Sequence, residues 1–416
     1  MNTKRISREI ETAAVLLREG SLVAVPTETV YGLAGNGLDE KVIESIYEVK
    51  GRPAVKPISL MVPGPEAIEQ LCTEVPEAAR QLAERFWPGP LTLVLRAKES
   101  VPEILRAGGA TVGLRCPRQE QTLRLLRELE FPLAVPSANP SGAESPKDAE
   151  QVLRYFDGKI AAVIDGGPCA LGLESTVLDL SRTPYRILRQ GSLPAEEIMD
   201  ALVSEMTIVG ITGGSGCGKT TALRELEKHG ALLLDCDAVY HELLEKSGDL
   251  IAELEAAFPG TTENGVLRRE RLAEIVFRDE SKLKLLNEIT HRHIMAEVTR
   301  RLRAWAMEGG TLAALDAIEL ISSGLAEICS FTMAITASDE TRIARIMARD
   351  GISRQKAELR IRAQHPNAYF EEHCDYTVPN DGDTDEFVRI LNKDLEEGFK
   401  HGKHERKPVL CAEERL

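Results

Sequence analysis

The fold of the second half of the chain is decided by the stretch Gly213-Gly214-Ser215-Gly216-Cys217-Gly218-Lys219-Thr220. It fits the pattern G-x-x-x-x-G-K-[ST], follows the apolar run 206–212 and opens a helical pattern that reaches residue 230. Such a loop turns its backbone N–H groups inward and, together with a helix N-terminus, binds phosphate groups. Lys219 would reach the β- and γ-phosphates, and Thr220 would hold Mg²⁺. The pattern therefore predicts an ATP site; a simple Gly-rich turn is the alternative.

Two carboxylates follow the next apolar run, which ends in Leu234-Asp235-Cys236-Asp237. The strand–loop–helix–strand spacing is that of a parallel sheet, so both carboxylates should lie at its carboxyl edge, close to the γ-phosphate. In a kinase, one such aspartate accepts the proton of the acceptor hydroxyl and another helps to hold the metal. The alternative is that Asp235 and Asp237 are N-caps of the following helix.

The composition indicates a globular protein and argues against two kinds of site. The chain has 416 residues, with 51 Lys and Arg against 66 Asp and Glu, and is 43% hydrophobic. These values are typical of a globular protein of two or three domains, and the net charge of −15 argues against a broad basic surface for nucleic acid. The eight cysteines are scattered singly, which argues against a zinc or redox site.

The start of the chain, residues 1–20, has the pattern of an amphipathic helix, and no apolar run reaches 18 residues. We therefore expect a cytoplasmic protein with no membrane contact. A boundary falls near residue 205, before Met206, and divides the chain into two α/β domains. We predict a twisted open sheet over 1–200, a parallel P-loop sheet with helical substrate and lid regions over 206–396, and a flexible tail over 397–416.

The second half resembles dephospho-coenzyme A kinases over about 206–392. The resemblance rests on GITGGSGCGKTT, LLDCDAVYHELL, NGVLRRERLAEIVFRD, LNEITHRHI, ALDAIELISSGL, RIARIMARDGISRQKAELRIRAQ and CDYTVPNDG. It implies that Asp237 is the general base, that Asp235, Arg269 and His291 lie near the coenzyme substrate, and that Asn380 lies near the adenine. Arg345, Arg349 and Gln364 would belong to a mobile lid over the ATP phosphates. The nucleotide would be bound by Gly213, Gly214, Ser215, Gly216, Cys217, Gly218, Lys219, Thr220 and Thr221, with Lys219 catalytic and with Thr220 and Asp235 on the metal.

Two positions depart from that family's pattern. The family usually has Pro-Leu-Leu-Phe-Glu where this chain has Ile318-Glu319-Leu320-Ile321-Ser322, so Ser322 stands in place of an acidic residue, with Glu319 close by. The proline that usually follows the family's histidine is Arg292. These departures raise the alternative that the second half is a nucleotide-binding scaffold.

The first half contains polar segments that interrupt its apolar runs. Loops rich in Ser, Thr, Gly and Pro beside fixed cations can bind a phosphate-bearing ligand, although each segment alone is typical of turns. Lys50, Arg52, Lys56 and Arg115 could together neutralise a triphosphate. The segments are 26–32, 50–53, 56–57, 87–90, 115–117, 137–142 and 173–177.

In this order, the segments resemble a YrdC-type domain, the threonylcarbamoyl-AMP synthase of transfer-RNA modification, over about 8–195. The resemblance implies that ATP, L-threonine and bicarbonate give threonylcarbamoyl-AMP and pyrophosphate. Lys50 and Arg52 would bind the phosphates and the carbamate as catalytic cations, and Arg115 the threonine carboxylate or a phosphate. The full implied site is Thr27, Thr29, Tyr31, Lys50, Arg52, Lys56, Arg115, Ser137, Asn139, Ser175 and Arg189. Three side chains of these segments have a structural alternative. Tyr31 could be a packed core residue, and Ser175 could be a cap. Trp87 could pack in the core rather than stack on a base.

Together, the halves predict a bifunctional enzyme that uses ATP in both, with Mg²⁺ as the cofactor. The second half would phosphorylate the 3′-hydroxyl of dephospho-CoA. We expect hand-off of the first product to the transfer-RNA threonylcarbamoyl-transferase proteins, and RNA contact in the N-terminal cleft is a further expectation. The competing hypothesis joins an active kinase to a YrdC module that binds RNA or nucleotide without catalysis.

Overall fold

The computed structural model describes residues 2–7 and 9–401. The chain divides into two compact units. Unit 1 runs to Leu202 and includes Met307–Gly309, whereas unit 2 comprises Val203–Ala306 and the chain from Gly310 onward. Among the described residues, no helix is long and apolar enough to cross a membrane.

Unit 1 is built on a mixed sheet of eleven strands among its described residues, in the order β1-β9-β2-β3-β8-β4-β7-β6-β10-β11, with β5 paired to β6. The strands are β1 (Lys4–Ile6), β2 (Val23–Val25), β3 (Gly32–Asn36), β4 (Leu60–Met61), β5 (Cys72–Thr73), β6 (Leu91–Ala97), β7 (Thr111–Arg115), β8 (Leu133–Ala134), β9 (Ala162–Ile164), β10 (Thr176–Asp179) and β11 (Arg186–Arg189). The helices are α1 (Ile10–Arg18), α2 (Glu40–Lys50), α3 (Ala67–Leu71), α4 (Glu77–Phe86), α5 (Glu120–Glu128), α6 (Ala149–Phe156) and α7 (Ala195–Glu205). The predicted twisted α/β sheet is confirmed.

Helix α2 and the turn after it place two of the predicted cations, Lys50 and Arg52. Asp39 caps its N-terminus by accepting from Lys41 N at 2.9 Å, and its buried face carries Ile43 and Ile46. The helix ends at Lys50, and Gly51 then adopts the left-handed conformation with φ +56°, which favours glycine.

Unit 2 contains a five-stranded sheet in the order β13-β16-β12-β17-β18, and every pairing in it is parallel. This confirms the predicted parallel P-loop sheet. The strands are β12 (Thr207–Thr212), β13 (Leu232–Asp235), β14 (Thr262–Glu263), β15 (Val266–Leu267), β16 (Leu312–Asp316), β17 (Phe331–Thr336) and β18 (Tyr376–Pro379), with β14 and β15 forming a separate hairpin. The helices are α8 (Lys219–Lys228), α9 (Cys236–Lys246), α10 (Gly248–Ala257), α11 (Arg269–Val276), α12 (Glu280–Met307), α13 (Asp339–Asp350), α14 (Arg354–Arg362), α15 (Asn367–His373) and α16 (Thr384–His401).

Two predictions of local structure are wrong at the ends of the chain. The start does not form one amphipathic helix, because Lys4–Ile6 pairs in parallel with β9 and the helix begins only at Ile10. Strand pairing overrides the local helical pattern there. Residues 397–401, predicted as tail, extend α16, whose Leu391, Leu395 and Gly398 are buried. The rest of the predicted tail, residues 402–416, lies outside the described residues.

Candidate active sites

The P-loop of unit 2 lies between the end of β12 and the start of α8, as predicted. Lys219 Nζ donates to the Gly213 carbonyl at 3.0 Å, which holds the ammonium over the loop. Gly218 has φ +102°, and a Cβ there would lie 2.1 Å from Asn380 Nδ2, so glycine is required. Cys217 is buried inside the loop, and burial raises the pKa of its thiol. The loop therefore has the backbone and the cation of a polyphosphate site.

Three of the four residues predicted around the loop contact it. Asn380 Nδ2 donates to the Cys217 carbonyl at 2.7 Å, so the amide implied near the adenine contacts the loop backbone. Arg345 Nη1 donates to Gly216 O at 3.3 Å, and Gln364 Oε1 accepts from Ser215 N at 2.9 Å. The structure does not bring Arg349 to the loop, because its guanidinium instead donates to Asp350 Oδ1 at 2.7 Å.

Three aspartates converge at the carboxyl edge of this sheet. In register, Asp235 at the end of β13 pairs with Asp316 at the end of β16. Burial raises the pKa of Asp316 to about 6; Lys219, whose Nζ lies 3.8 Å from Asp316 Oδ1, opposes the shift. Asp237 is solvent-accessible, yet partial desolvation and then the Asp235 carboxylate raise its pKa. Sequence reasoning missed Asp316, although the run Leu312–Asp316 ends in an aspartate as β13 does.

Asp235 and Asp237 differ in their local roles. Asp235 Oδ1 accepts from Ala238 N at 2.9 Å and caps α9, so the N-cap alternative is right for this residue. Asp237 lies in the first turn of the same helix and is not the cap. A carboxylate has two oxygens, so the cap leaves Asp235 Oδ2 available to a ligand.

The residues at this edge fit a divalent cation only together with phosphates. Among the described residues, the buried Asp316 Oδ1 has no hydrogen-bond partner, and the Lys219 ammonium lies 3.8 Å away. In the described part of the chain, no group of three or more His, Cys, Asp or Glu side chains could hold a metal ion by itself. Mg²⁺ is commonly bound by one or two carboxylates plus substrate phosphates, so the aspartates and Thr220, in the first turn of α8, suit that arrangement.

The loop after β16 carries the departures noted in the sequence. Ser322 Oγ donates to Glu319 Oε2, whose distance to His365 Nε2 is 3.9 Å. Burial lowers the pKa of His291, and the Glu319 carboxylate opposes that shift, so a negative charge does face the predicted acceptor side. Arg269 Nη1 lies 3.3 Å from His241 Nδ1.

Arg292, which stands in place of a proline, forms an ion pair between two helices. Its Nη2 pairs with Glu253 Oε1 on α10, and His293 Nε2 lies 2.8 Å from Glu253 Oε2. The arginine thus ties α12 to α10.

A cavity of about 150 Å³ in unit 1 gathers most of the predicted N-terminal site. Its polar lining also includes Ser59, Thr92 and Glu174, which sequence reasoning did not assign. Thr27, Lys50, Lys56 and Asn139 are not among the lining residues, and Lys56 is exposed on the loop after α2. The predicted residues that do line it are Thr29, Tyr31, Arg52, Arg115, Ser137, Ser175 and Arg189.

Lys50 lies behind the wall of this cavity. Its ammonium donates to the carbonyls of Ser137 and Asn139, and the Asn139 amide donates in turn to Ala143 O at 2.7 Å. Burial, and then the nearby Arg52 cation, lower the pKa of Lys50 to about 7. Lys50 therefore fixes the Ser137–Asn139 backbone from a buried position.

Arg115 forms a buried ion pair that the sequence did not indicate. Its Nη2 lies 2.8 Å from Glu28 Oε1, and both side chains are 8% exposed. Glu28 Oε2 also accepts from Arg118 N at 2.9 Å, and Arg115 Nε donates to Gly89 O at 3.2 Å. Arg115 is thus held rigidly at the cavity wall, with its charge partly compensated.

The alternatives for single residues resolve in different ways. Tyr31 is buried, and its hydroxyl donates to Gly167 O at 2.8 Å, yet it also lines the cavity. Ser175 Oγ is 2.8 Å from Thr92 Oγ1, and Arg189 Nη2 donates to Ser175 O at 2.8 Å, so this serine joins strands rather than capping a helix. Trp87 is buried with its Nε1 donating to Leu91 O at 2.8 Å, which confirms packing. Thr27 Oγ1 donates to Val30 O.

The lowered pKa of Lys50 predicts a pH effect on the stability of unit 1. Between pH 7 and 10.5 the unfolded chain binds a proton at Lys50 that the folded chain lacks, so this residue makes stability rise with pH. The Lys50→Met substitution should remove this dependence of the unfolding free energy on pH, whose slope is at most about 1.4 kcal/mol per pH unit. In a Trp305→Phe background, Trp87 fluorescence during urea denaturation reports on unit 1 alone. Lys159→Met, at an exposed lysine, is the control; identical slopes for Lys50→Met and the unmodified chain would contradict the assignment.

Comparison with known proteins gives a separate result for each half. A family model named Sua5–YciO–YrdC and described as "Telomere recombination" matches residues 15–191, and one described as "Dephospho-CoA kinase" matches residues 207–386. A threonylcarbamoyl-AMP synthase from Pyrococcus abyssi is 50% identical over 200 residues, which are 48% of this chain and 58% of that protein. The synthase from Bacillus subtilis is 44% identical over 191 residues, 46% of this chain and 55% of its own length. This chain therefore spans little more than half of these two relatives.

Other relatives are covered almost completely. One from Mycobacterium tuberculosis is 37% identical over 196 residues, 47% of this chain and 90% of its own length. A dephospho-CoA kinase from Thermobifida fusca is 36% identical over 183 residues, 44% of this chain and 90% of its own length. The chain thus belongs to the Sua5–YciO–YrdC family over its first half and to the dephospho-CoA kinase family over its second.

Proposed function

We propose that unit 2 transfers the γ-phosphoryl group of ATP to the 3′-hydroxyl of dephospho-CoA. The observation that carries this proposal is the convergence of Asp237 and Asp316 beside Lys219 on the P-loop. The loop N–H groups and Lys219 bind the phosphates and stabilise the charge that develops on transfer. Asp316, Thr220 and the Asp235 oxygen that does not cap α9 would hold Mg²⁺, which would supply further neutralisation of phosphate charge.

Asp237 acts as the general base of this reaction. Its raised pKa brings it closer to the working pH than an ordinary aspartate, which favours proton transfer. The hydroxyl oxygen forms a bond to the γ-phosphorus, its proton passes to Asp237, and the bond to the β-phosphate oxygen breaks to release ADP. We infer that Glu319 compensates for Ser322, because its carboxylate acts on His291, which is predicted near the acceptor.

For unit 1, we infer the synthesis of threonylcarbamoyl-AMP from L-threonine, bicarbonate and ATP. Threonine is first carboxylated at its amine; a carbamate oxygen then attacks the α-phosphorus, and pyrophosphate leaves. Arg52, Arg115 and Arg189 all line the cavity and supply fixed positive charge for these anions. Lys50 positions the Ser137 and Asn139 backbone. Hand-off of the product to transfer-RNA-modifying proteins, RNA contact at the cleft and a cytoplasmic location stay predictions.

The test is mass spectrometry of the products of full-length protein supplied with ATP, Mg²⁺, threonine, bicarbonate and dephospho-CoA, with each acceptor omitted in turn. Both threonylcarbamoyl-AMP and coenzyme A should appear, each only with its own acceptor. Absence of the first product would favour the non-catalytic binding module for unit 1. Absence of coenzyme A would favour the nucleotide-binding scaffold for unit 2.

A further inference from the structure

Arg342 on α13 is 1% exposed and lies against the P-loop. Its Nε donates to the Ser215 carbonyl at 3.1 Å, and its Nη2 donates to Gln364 Oε1 at 3.0 Å. The third nitrogen, Nη1, lies 3.2 Å from Asp339 Oδ1. One guanidinium therefore joins the P-loop, the segment after α14 and the start of α13.

Gln364 completes a closed set of hydrogen bonds around Ser215. Its Oε1 accepts from Ser215 N at 2.9 Å, and its Nε2 donates to Ser215 Oγ at 2.9 Å. The N–H, hydroxyl and carbonyl of Ser215 are thus all engaged by Gln364 and Arg342. The conformation of this loop residue depends on both side chains together.

The guanidinium approaches the loop backbone closely. A Cβ at Gly214 would lie 2.2 Å from Arg342 Nη2, and one at Gly216 would lie 2.9 Å from the Arg342 carbonyl oxygen. Glycine at position 214 is therefore needed for the arginine to lie against the loop.

The charge of Arg342 is only weakly compensated. Within residues 2–7 and 9–401, the carboxylate paired with it is that of Asp339, which is 71% exposed. A buried cation with a single solvated counter-ion is costly by itself, and a nearby polyphosphate would stabilise it. The burial of Arg342 beside the P-loop therefore supports a role in binding an anionic ligand.

We propose that Arg342 is a positioning residue for the nucleotide phosphates, which fixes Ser215 and Gln364 as one unit so that the P-loop and the segment after α14 respond to nucleotide together. This inference rests on the proposed ATP site of unit 2. It does not depend on the identity of the acceptor.

The experiment measures ADP binding to the full-length chain by calorimetry. Binding that disappears in Lys219→Ala belongs to the P-loop and is separated from any binding by unit 1. At that site, Arg342→Met should raise Kd about tenfold through the loss of charged hydrogen bonds. Arg342→Lys should recover less than half of the lost affinity on a logarithmic scale, because one ammonium cannot reach three partners. Arg354→Met, at an exposed arginine paired with Glu340 and Glu358, is the matched control and should leave Kd unchanged.

A double-variant cycle tests the coupling. Gln364→Leu alone should also weaken ADP binding, and adding it to Arg342→Met should cause little further loss, because both side chains act through Ser215. Additive losses, full recovery by lysine or an unchanged Kd in Arg342→Met would each overturn the proposal. If Arg342→Met fails to fold, Arg342→Gln is measured in its place against the same expectations.

The outcomes also separate this proposal from the proposed function. If ADP binding follows these expectations but dephospho-CoA is not phosphorylated, the positioning role stands and the phosphoryl transfer proposed for unit 2 fails. If Lys219→Ala removes no ADP binding, both proposals fail at the P-loop.

Discussion

Asp237→Asn should lower dephospho-CoA-dependent ADP formation by about 10²–10⁴-fold, the usual contribution of a general base. The side chain keeps its shape and its place in the first turn of α9 but loses its ability to accept the proton. ADP affinity should remain, since Lys219 and the loop N–H groups are unchanged. The rate of the unmodified chain should rise with pH through the raised pKa of Asp237, and this limb should disappear in the variant. Initial rates across a pH series measure both effects.

Asp249→Asn is the matched control for that prediction. It makes the same chemical change in the first turn of a neighbouring helix, α10, at an exposed position outside the site. Its rate and pH profile should equal those of the unmodified chain. Threonine-dependent pyrophosphate release by unit 1 serves as a second control in each sample. A full rate in folded Asp237→Asn would show that another group accepts the proton.

Arg115→Met should lower the free energy of unfolding of unit 1 by about 3–5 kcal/mol, because it leaves Glu28 buried without its counter-ion. Threonine-dependent pyrophosphate release should fall as well, since Arg115 lines the cavity. Trp87 fluorescence in the Trp305→Phe background measures the stability change by urea denaturation. The double variant Arg115→Met with Glu28→Gln removes both charges and should recover most of the stability without the activity.

Arg80→Met tests whether burial of the ion pair is the reason for the large loss of stability expected in Arg115→Met. Arg80 also forms an ion pair, at 2.6 Å from Glu69, but both side chains are exposed to solvent. Its removal should leave the denaturation curve close to that of the unmodified chain, because exposed pairs contribute little. Equal losses for Arg80→Met and Arg115→Met would mean that the buried pair has no special role.

The features that the sequence predicted correctly are local ones. The P-loop combines a residue pattern, a preceding strand and a following helix within residues 207–228, and Asp235 and Asp237 lie at the end of strand β13 and just beyond it. Asp316 was missed because its role depends on the register of β16 against β13, residues far apart in the chain. Strand register is set by the whole sheet and is not visible in a single segment.

Burial of charge was equally hard to predict. Arg342 and Arg349 have the same helical context in sequence, yet one lies beneath the P-loop and the other pairs with Asp350. Likewise, Lys50 and Lys56 were both predicted to neutralise a triphosphate. In the structure, Lys50 is buried and donates to two carbonyls, whereas Lys56 is exposed. Helix rotation and loop path decide these cases, and both follow from tertiary packing.

The buried thiol of the P-loop has a consequence for inhibitor chemistry. Cys217 lies within the P-loop, so its position in the sequence suggests that a nucleotide analogue carrying an electrophile could react with it. However, burial both shields its sulfur and raises its pKa, and the thiolate is the form that attacks acrylamides and maleimides. We therefore expect Cys217 to react slowly with alkylating agents and peroxide, so that a nucleotide-like inhibitor gains little from a group aimed at this thiol.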